Sequence, residues 1–269
     1  MPLFPGGLTI PTNILSVADN ADKLLMVDSN SELFAITKEN FLNGISTTKE
    51  YFDNLVFLAH FNGDDNSTTI TDVKGATITR YGDSKISTAE SKFGNGSLLL
   101  DGAGDYLSFP YSDAIDINSD DFKIECWYYP LAITGFRTIF AQWQQITAKG
   151  GFLLAANGSS LLFDFGAFAE NADLLTGGTL TINTWHHIAV TRIGSRFTLW
   201  LNGVAVKTAL TSATKSLTTV NFSIGNFYNS SGVLGAAGAT DTFAYINELR
   251  IAKPTPFALT VPDSAFLDS

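Results

Sequence analysis

Carboxylates are the side chains of this sequence best suited to acid–base chemistry, and their spacing argues against catalysis. Two of the seven glutamates, Glu125 and Glu248, fall in predicted strands, and each stands alone there. Retaining hydrolysis of a glycosidic bond needs two carboxyl groups about 5 Å apart, which a Glu-x-Asp-x-Glu strand would supply. The sequence contains no such triplet. We therefore expect no glycoside hydrolase activity.

The other reactive side chains are also poorly placed for catalysis. Cys126 falls on the apolar face of a predicted strand, where we expect it to pack as a small core residue. His186 and His187 are adjacent in a predicted strand, so they point to opposite faces and cannot simply bind one zinc ion. No Gly-x-Ser-x-Gly turn is present to hold a nucleophilic serine. These patterns predict a protein that is not an enzyme.

One acidic loop has the chemistry of a cation site. Calcium prefers about six to eight hard oxygen ligands, often from Asp and Asn side chains in loops. Asp64 and Asp65, in the acidic segment 62–66, fit that preference. A solvated turn is the commoner role of such a segment, because Asn and Asp favour turns. The sequence leaves both interpretations open.

Aromatic side chains flanked by polar ones indicate a carbohydrate site. Sugar recognition combines an apolar surface with a few polar groups that fix hydroxyls. Trp143 is the most lectin-like candidate, because glutamines flank it on both sides. The candidate ligand-binding residues are Phe136, Arg137, Trp143, Gln145, Phe168 and Tyr228. For any single ring, packing in the core or against another subunit is the alternative.

Composition excludes several classes of protein. The chain has 269 residues, of which 45% are hydrophobic and 16% charged, so disorder over most of its length is excluded. A formal net charge of −10 argues against nucleic-acid binding, since that requires a surface that neutralises phosphates. No segment approaches the roughly 18 apolar residues of a membrane span, and the first residues lack the basic region of a signal peptide. We therefore expect no membrane insertion. The single cysteine permits no intrachain disulfide, so we do not expect a disulfide-stapled fold either.

Short alternating runs between turn residues predict an all-β fold. In one run, Phe122, Ile124, Cys126 and Tyr128 share a face of the strand. The dipeptide Asn202–Gly203 predicts a hairpin, since a type I′ turn needs positive φ at both central residues. It joins Arg196–Leu201 to Val204–Val206. The other predicted strands are Leu55–Phe61, Ser97–Asp101, Tyr106–Phe109, Thr138–Trp143, Gly151–Ala156, Ser160–Phe165, Trp185–Arg192, Asn221–Ile224 and Ala244–Ile251.

The first fifty residues form a separate predicted segment. Lys23–Val27 and Leu33–Ile36 predict a small hairpin, which follows a Pro- and Gly-containing extended arm. A piece this short cannot bury a core alone, so it must pack on a neighbour, on another copy or on a partner. Thr47 and Glu50 have capping-box spacing and predict a short helix from Thr47 to Asn54. We divide the chain into residues 1–50, an arm and attachment segment, and residues 51–269, a β-sandwich.

Six segments carry a resemblance to a known fold. LVFLAHFNG, KFGNGSLLLDGAGDYLSFP, DDFKIECWYYP, TWHHIAVTRIGSRFTLWLNGVAV, FSIGN and AYINELRIAK occur in that order and span about four fifths of the chain. The series resembles the laminin-G-like, concanavalin A-like jelly roll, especially the version found in bacteriophage and bacterial surface proteins. The resemblance implies a two-sheet antiparallel jelly-roll sandwich, preceded here by the arm and hairpin.

The resemblance also implies ligands. The fold hosts lectins, glycosidases and purely structural modules. Many members hold a structural calcium ion that ties the first and last strands together, and an Asp usually precedes their Glu-Leu-Arg run. In this sequence that position is Asn247, which offers one neutral oxygen. The candidate metal residues are therefore Asn247, Asp64 and Asp65.

Three functional hypotheses stand at this point. The favoured one is a phage virion structural protein, either a head fibre, a decoration protein or a tail-fibre-like adhesin, assembled in the host cytoplasm. Residues 1–50 would anchor it to other virion proteins, a homotrimer is the favoured assembly, and the jelly roll would touch host-surface glycans. The segment KLLMVDSNSELFAITKENFLNGI resembles the attachment regions of phage fibres. The alternatives are a free carbohydrate-binding module or lectin and, with least support, a glycoside hydrolase.

Overall fold

The computed structural model describes residues 23–27, 33–37, 54–117, 120–146, 149–166, 174–210, 219–234, 241–253 and 261–266. These residues form seventeen β-strands and no helix, which confirms the all-β prediction. Consequently, none of the described residues belongs to a helix able to cross a membrane. In chain order the strands are β1 (Lys23–Val27), β2 (Leu33–Thr37), β3 (Leu55–Ala59), β4 (Thr79–Tyr81), β5 (Lys85–Ser87), β6 (Ser97–Asp101), β7 (Tyr106–Phe109), β8 (Phe122–Pro130), β9 (Phe136–Ile146), β10 (Lys149–Asn157), β11 (Ser160–Gly166), β12 (Leu175–Gly177), β13 (His186–Ile193), β14 (Arg196–Leu201), β15 (Val204–Leu210), β16 (Phe222–Ile224) and β17 (Phe243–Ala252).

The chain divides into two compact units after Asn54. The first comprises residues 1–54 together with 267–269, and its described part is the antiparallel hairpin of β1 and β2. The pairing runs from Lys23 opposite Thr37 to Val27 opposite Leu33, so the small predicted hairpin is confirmed. The predicted helix over 47–54 lies outside the described residues except for Asn54, which is in a turn.

Residues 55–266 form the second unit, a sandwich of two antiparallel sheets. The seven-stranded sheet has the order β12-β11-β10-β9-β16-β7-β4. The eight-stranded sheet has the order β15-β14-β13-β8-β17-β6-β5, and β3 also pairs with β17. Strands that are neighbours in a sheet come from distant parts of the chain, as in a jelly roll. The predicted two-sheet architecture is therefore confirmed.

Phenylalanine rings fill the space between the two sheets. Phe57, Phe109 and Phe222 are fully buried, with ring centroids 4.5 Å apart in the first pair and 5.0 Å apart in the second. The apolar face predicted for β8 also points into this core, where Cys126 is fully buried. Burial raises the pKa of the Cys126 thiol, so this side chain is an inert packing residue.

The predicted hairpin turn is present, with φ of 50° at Asn202 and 79° at Gly203. Leu201 then lies opposite Val204, as a two-residue turn requires. The first strand of the sandwich is shorter than predicted. It ends at Ala59 because Phe61 has φ of 61°, which an extended strand cannot contain.

Charged side chains are buried on the outer face of the eight-stranded sheet. Glu125 is fully buried, and its carboxylate accepts hydrogen bonds from Arg250 Nε at 2.6 Å and from His187 at 2.9 Å. Lys123 adds an ion pair at 2.9 Å. Residues 261–266 help to cover this face, since the ring of Phe266 lies 3.4 Å from the Arg250 guanidinium carbon. Much of this outer face is therefore closed to solvent.

Candidate functional site

Two of the six predicted ligand-binding residues, Phe136 and Trp143, lie together on the outer face of the seven-stranded sheet, and two more, Gln145 and Tyr228, adjoin them along the backbone. The alternation of β9 turns Phe140 into the core between the sheets and Trp143 outward. Phe136 packs against the same outer cluster as Trp143. Gln145 and Tyr228 are joined beside it by backbone hydrogen bonding, with Gln145 N–H donating to the Tyr228 carbonyl at 3.0 Å. The sheet thus gathers residues from distant parts of the chain.

Trp143 is the floor of this surface rather than an exposed platform. Its side chain is only 2% exposed. It belongs to a small apolar cluster with Ala141, Leu153, Ala155 and Leu162. Phe136 and Phe227 pack against that cluster, with their ring centroids 6.2 Å apart in an edge-to-face arrangement. A ring so covered cannot stack on a sugar, so its burial does not fit the direct contact expected of Trp143.

Tyr228 is held at the rim by its backbone. Its N–H donates to the Trp143 carbonyl at 3.1 Å, and a parallel bridge joins it to Gln144. Burial raises the pKa of the half-buried Tyr228 side chain, so its hydroxyl stays protonated at neutral pH. Gln144, Gln145 and Tyr228 are all half-buried, and they carry hydrogen-bonding side chains next to this apolar cluster in the backbone.

Of the two remaining predicted residues, Arg137 is the one that the structure describes. Arg137 donates from Nη1 to the Asp241 carbonyl at 2.5 Å, and its Nε is buried without a hydrogen-bond partner. Its guanidinium therefore fixes the segment at Asp241. Phe168 lies outside the described residues.

Asn247 fills the position at which the resemblance implies calcium, and its amide is fully engaged by the protein. Nδ2 donates to the carbonyl oxygens of His60 at 2.6 Å and Gly96 at 3.2 Å. Oδ1 accepts from Phe93 N–H at 2.9 Å, and the side chain is fully buried. The position closest to the two carbonyls is thus an N–H donor, which repels a cation. These residues do not fit a calcium ion.

The other two candidate metal residues lie in exposed turns. Asp65 Oδ1 accepts from Thr88 N–H at 3.0 Å, and Oδ2 accepts from Asn66 at 2.8 Å. Asp64 is exposed, and its carbonyl closes a turn with Ser67 N–H at 3.0 Å. Both residues therefore have the turn-forming role that was the alternative interpretation.

A different group of acids is brought together by two turns, one between β4 and β5 and one between β6 and β7. Carboxylate oxygens of Asp83, Asp101 and Asp105 lie within 4.8 Å of one another. Asp105 is almost fully buried and accepts from Asp83 N–H at 2.7 Å and Asp101 N–H at 3.0 Å. A Cβ on Gly82 would stand 2.2 Å from Asp105 Oδ1, so glycine is required there. Gly-Asp and Asp-Gly pairs were the sequence signal for this group, but sequence reasoning missed it.

The two strand glutamates are withdrawn from solvent. Burial opposes ionisation of Glu125, but Lys123 and the hydrogen bond from His187 outweigh it and hold the pKa of Glu125 below its ordinary value. Glu248 is fully buried and accepts from His60 Nδ1 at 2.8 Å and Phe266 N–H at 2.9 Å. Both carboxyl groups are therefore taken up by contacts within the protein.

Replacing Asn247 by Ala should destabilise the protein by about 2–4 kcal/mol, because three buried or half-buried backbone groups lose their partner. Urea unfolding measures this free energy. The melting temperature of the native chain should be unchanged by EDTA. The matched variant Asn247→Asp sets a carboxylate against two carbonyl oxygens, so it should be unstable in EDTA and partly rescued by calcium. A native melting temperature that falls in EDTA would contradict the metal-free interpretation.

Asp105 should make stability depend on pH. Burial raises the pKa of Asp105 from 3.8 to about 6. A raised carboxyl pKa favours folding while the group is protonated, so this contribution is complete below about pH 4 and is lost as the pH rises through about 6. Between these limits the unfolding free energy should fall by about 1–3 kcal/mol relative to Asp105→Asn, as measured by urea unfolding across the range. If the unfolding free energies of the two proteins changed with pH in parallel, this pH dependence could not be assigned to Asp105.

Comparisons with known proteins identify the fold. A laminin-G family described as the concanavalin A-like lectin/glucanases superfamily matches residues 101–253, which is more than half of the chain. No curated protein sequence matches significantly. The binding domain of paraclostridial mosquitocidal protein 1 is similar in structure, with a TM-score of 0.58 and 14% identity, over 81% of this chain and 50% of that one.

Two botulinum neurotoxin structures are also similar. The serotype D binding domain has a TM-score of 0.54 and 11% identity, over 76% of this chain and 49% of that one. The binding domain of botulinum neurotoxin DC in complex with SialylT has a TM-score of 0.54 and 12% identity, over 75% of this chain and 48% of that one. This chain thus spans about half the length of these structures.

At such low identity these structures establish the fold alone. They are toxin binding domains, and they do not single out the phage version of the fold. The strand order and the family match agree on the same architecture. The chain belongs to the laminin-G family of the concanavalin A-like lectin/glucanases superfamily.

Proposed function

We propose that this chain is a virion attachment protein whose jelly-roll domain binds carbohydrate on a cell surface. The observation that carries the carbohydrate-binding part is the outer face of the seven-stranded sheet. There Gln145 and Tyr228 stand half-buried beside an apolar floor that contains Trp143. A few fixed polar groups on an apolar surface are what sugar recognition requires.

This surface suits a ligand of modest affinity. The rim is fixed by backbone hydrogen bonds between β9 and Tyr228, so its polar groups are ordered before a ligand arrives. Phe136 and Phe227 are half-buried and present apolar area to the C–H faces of sugars. The complex of the botulinum neurotoxin DC binding domain with SialylT, on the same fold, supports a carbohydrate as the ligand class.

Binding without hydrolysis is part of the proposal. Glycoside hydrolysis needs two carboxyl groups that reach the scissile bond. Glu125 and Glu248 are fully buried and held by basic side chains, so neither is available to a polysaccharide. We expect no release of reducing sugar by the purified protein.

The virion role rests on the separate N-terminal segment. Residues 1–54 group apart from the sandwich, and their described part is a two-stranded hairpin. An isolated hairpin of this size is marginal in water, so it needs a partner surface to be stable. Other virion proteins would supply that surface, and a homotrimer would present several sugar-binding surfaces together.

Retardation in native gels that contain dextran, mannan or galactomannan tests carbohydrate binding. Tyr228→Ala and Gln145→Ala should each lower the affinity for the polysaccharide, measured from the retardation, by about tenfold or more, because each removes a polar group from the proposed site. Ser195→Ala, in an exposed turn of the other sheet, is the control and should bind as the native chain does. Unchanged retardation of both rim variants, with native melting temperatures, would remove this face as the site.

Particle association tests the virion role. The full chain and residues 51–269 would be produced in cells that form the proposed particle, and particles would be purified by density gradient. We expect the full chain on the particles and the shorter chain folded but absent from them. A shorter chain that still loads onto particles would overturn the anchoring role. A full chain that binds polysaccharide but never joins particles would make the protein a free lectin.

A further inference from the structure

A row of aromatic side chains crosses the outer face of the eight-stranded sheet. Tyr129 in β8 and Tyr245 in β17 are directly opposite in the ladder, and their ring centroids lie 5.8 Å apart. Trp185 comes directly before β13, and its ring lies 5.3 Å from that of Tyr129. The row thus crosses three adjacent strands, or about 10 Å. Its neighbours Tyr128 and Ile246 point into the core, so the row faces outward.

The aromatic row lies at the open end of an otherwise covered face. Trp127, two residues along β8 from Tyr129, is capped by Lys92, whose ammonium lies 4.1 Å from the ring centroid, and by Phe93 at 5.8 Å. Tyr129 and Trp185 are only half-buried, and Phe243 at the start of β17 is 37% exposed. Within the part of the chain that the structure describes, the cover that closes the charged part of the sheet therefore stops short of the row.

Glu90 forms a polar wall beside the aromatic row. Its carboxylate accepts a hydrogen bond from the Tyr129 hydroxyl at 3.3 Å, and its carbonyl accepts from Ser97 at 2.6 Å. Burial and then Glu90 raise the pKa of Tyr129, so the phenol stays protonated and directs its proton to the carboxylate. The indole N–H of Trp185 is buried and has no hydrogen-bond partner among the described residues. The row therefore combines fixed apolar rings with a carboxylate acceptor.

We propose that the aromatic row is a second carbohydrate site, independent of the one on the seven-stranded sheet, and that it takes neutral hexopyranose units. The rings of Tyr129 and Trp185 would pack against the C–H face of the sugar. The Glu90 carboxylate can only accept hydrogen bonds, which suits sugar hydroxyls and repels acidic sugars. The net charge of −10 adds to that selection. Lys92 does not offset it directly, because its ammonium is held over Trp127.

Indole resonances test the proposal and separate it from the first site. The chain has four tryptophans, so a nitrogen-15 spectrum of the full chain resolves them after assignment by substitution. The probes are oligosaccharides cut from dextran, mannan and galactan, with polysialic acid as the acidic probe. We expect the Trp185 resonance to move with a neutral probe and to stay still with the acidic one.

Two variants sharpen this test. Glu90→Gln keeps the shape of the side chain. It should lower the affinity for the neutral probe, measured by titration of the Trp185 resonance, by about tenfold, since the sugar loses a hydrogen bond to a charged group. Asp64→Asn removes the same charge from an exposed turn and should leave the response unchanged. Equal weakening by both variants would reduce the effect to net charge and overturn the site.

The remaining outcomes also decide the proposal. Movement of Trp143 without Trp185 would overturn the second site and leave the first one standing. Movement of Trp185 with neutral sugars, without any response of Trp143, would support the row and count against the first site. Movement of Trp185 on raising the protein concentration without sugar would assign the row to contact between copies. Equal responses to acidic and neutral probes would refute the proposed selectivity.

Discussion

The last strand of the sandwich has to change partners part-way along one edge, and much of the structure follows from how that change is accommodated. Residues Phe243–Ile246 of β17 pair with β6, and Leu249–Ala252 pair with β3, while β8 occupies the opposite edge. Between them the register slips, and Glu248 adopts φ of 55°, an uncommon conformation for this residue type. The Asn247 amide supplies the missing hydrogen bonds, joining the end of one neighbouring segment at His60 to the start of the other at Gly96.

This junction also positions what lies above the sheet. Asn247 Oδ1 holds Phe93 N–H, and Phe93 caps Trp127, so the loop that carries Glu90 is pinned to the strand beneath it. Glu248, turned by the bulge, accepts from Phe266 N–H and so fixes residues 261–266 over Arg250. One irregularity therefore helps to determine which part of the outer face the described residues cover and which part they leave open.

Burying charge in the covered part of the outer face costs free energy, which a network of ion pairs and hydrogen bonds offsets. A buried carboxylate is destabilising unless it is paired and hydrogen-bonded. Glu125 meets that condition through Arg250, Lys123 and His187, although His187 Nδ1 has no hydrogen-bond partner in the described ranges. Around Glu125 the eight-stranded sheet is therefore buried on its outer face as well as on its core face.

Local sequence patterns predicted where most of the strands lie but not which strands are neighbours in the sheets. Alternation placed Cys126 in the core, and Asn202–Gly203 marked its hairpin, because both signals depend only on neighbouring residues. Strands β4, β5 and β12 were missed because three residues are too few to show a period. The aromatic row was missed for another reason. Tyr129 and Tyr245 are more than a hundred residues apart, and only the strand order makes them neighbours.

The same dependence on three-dimensional neighbours explains the mixed outcome for the predicted sugar site. Trp143, Gln145 and Tyr228 were chosen for their residue types, and the sheet does bring them together. Whether an aromatic ring is buried or exposed depends on what packs over it, which the sequence does not reveal. A glycan array probed with the full-length chain tests directly whether this jelly roll recognises carbohydrate. We expect the chain to be retained on neutral hexose glycans. A chain that is retained by no glycan on the array would contradict this expectation.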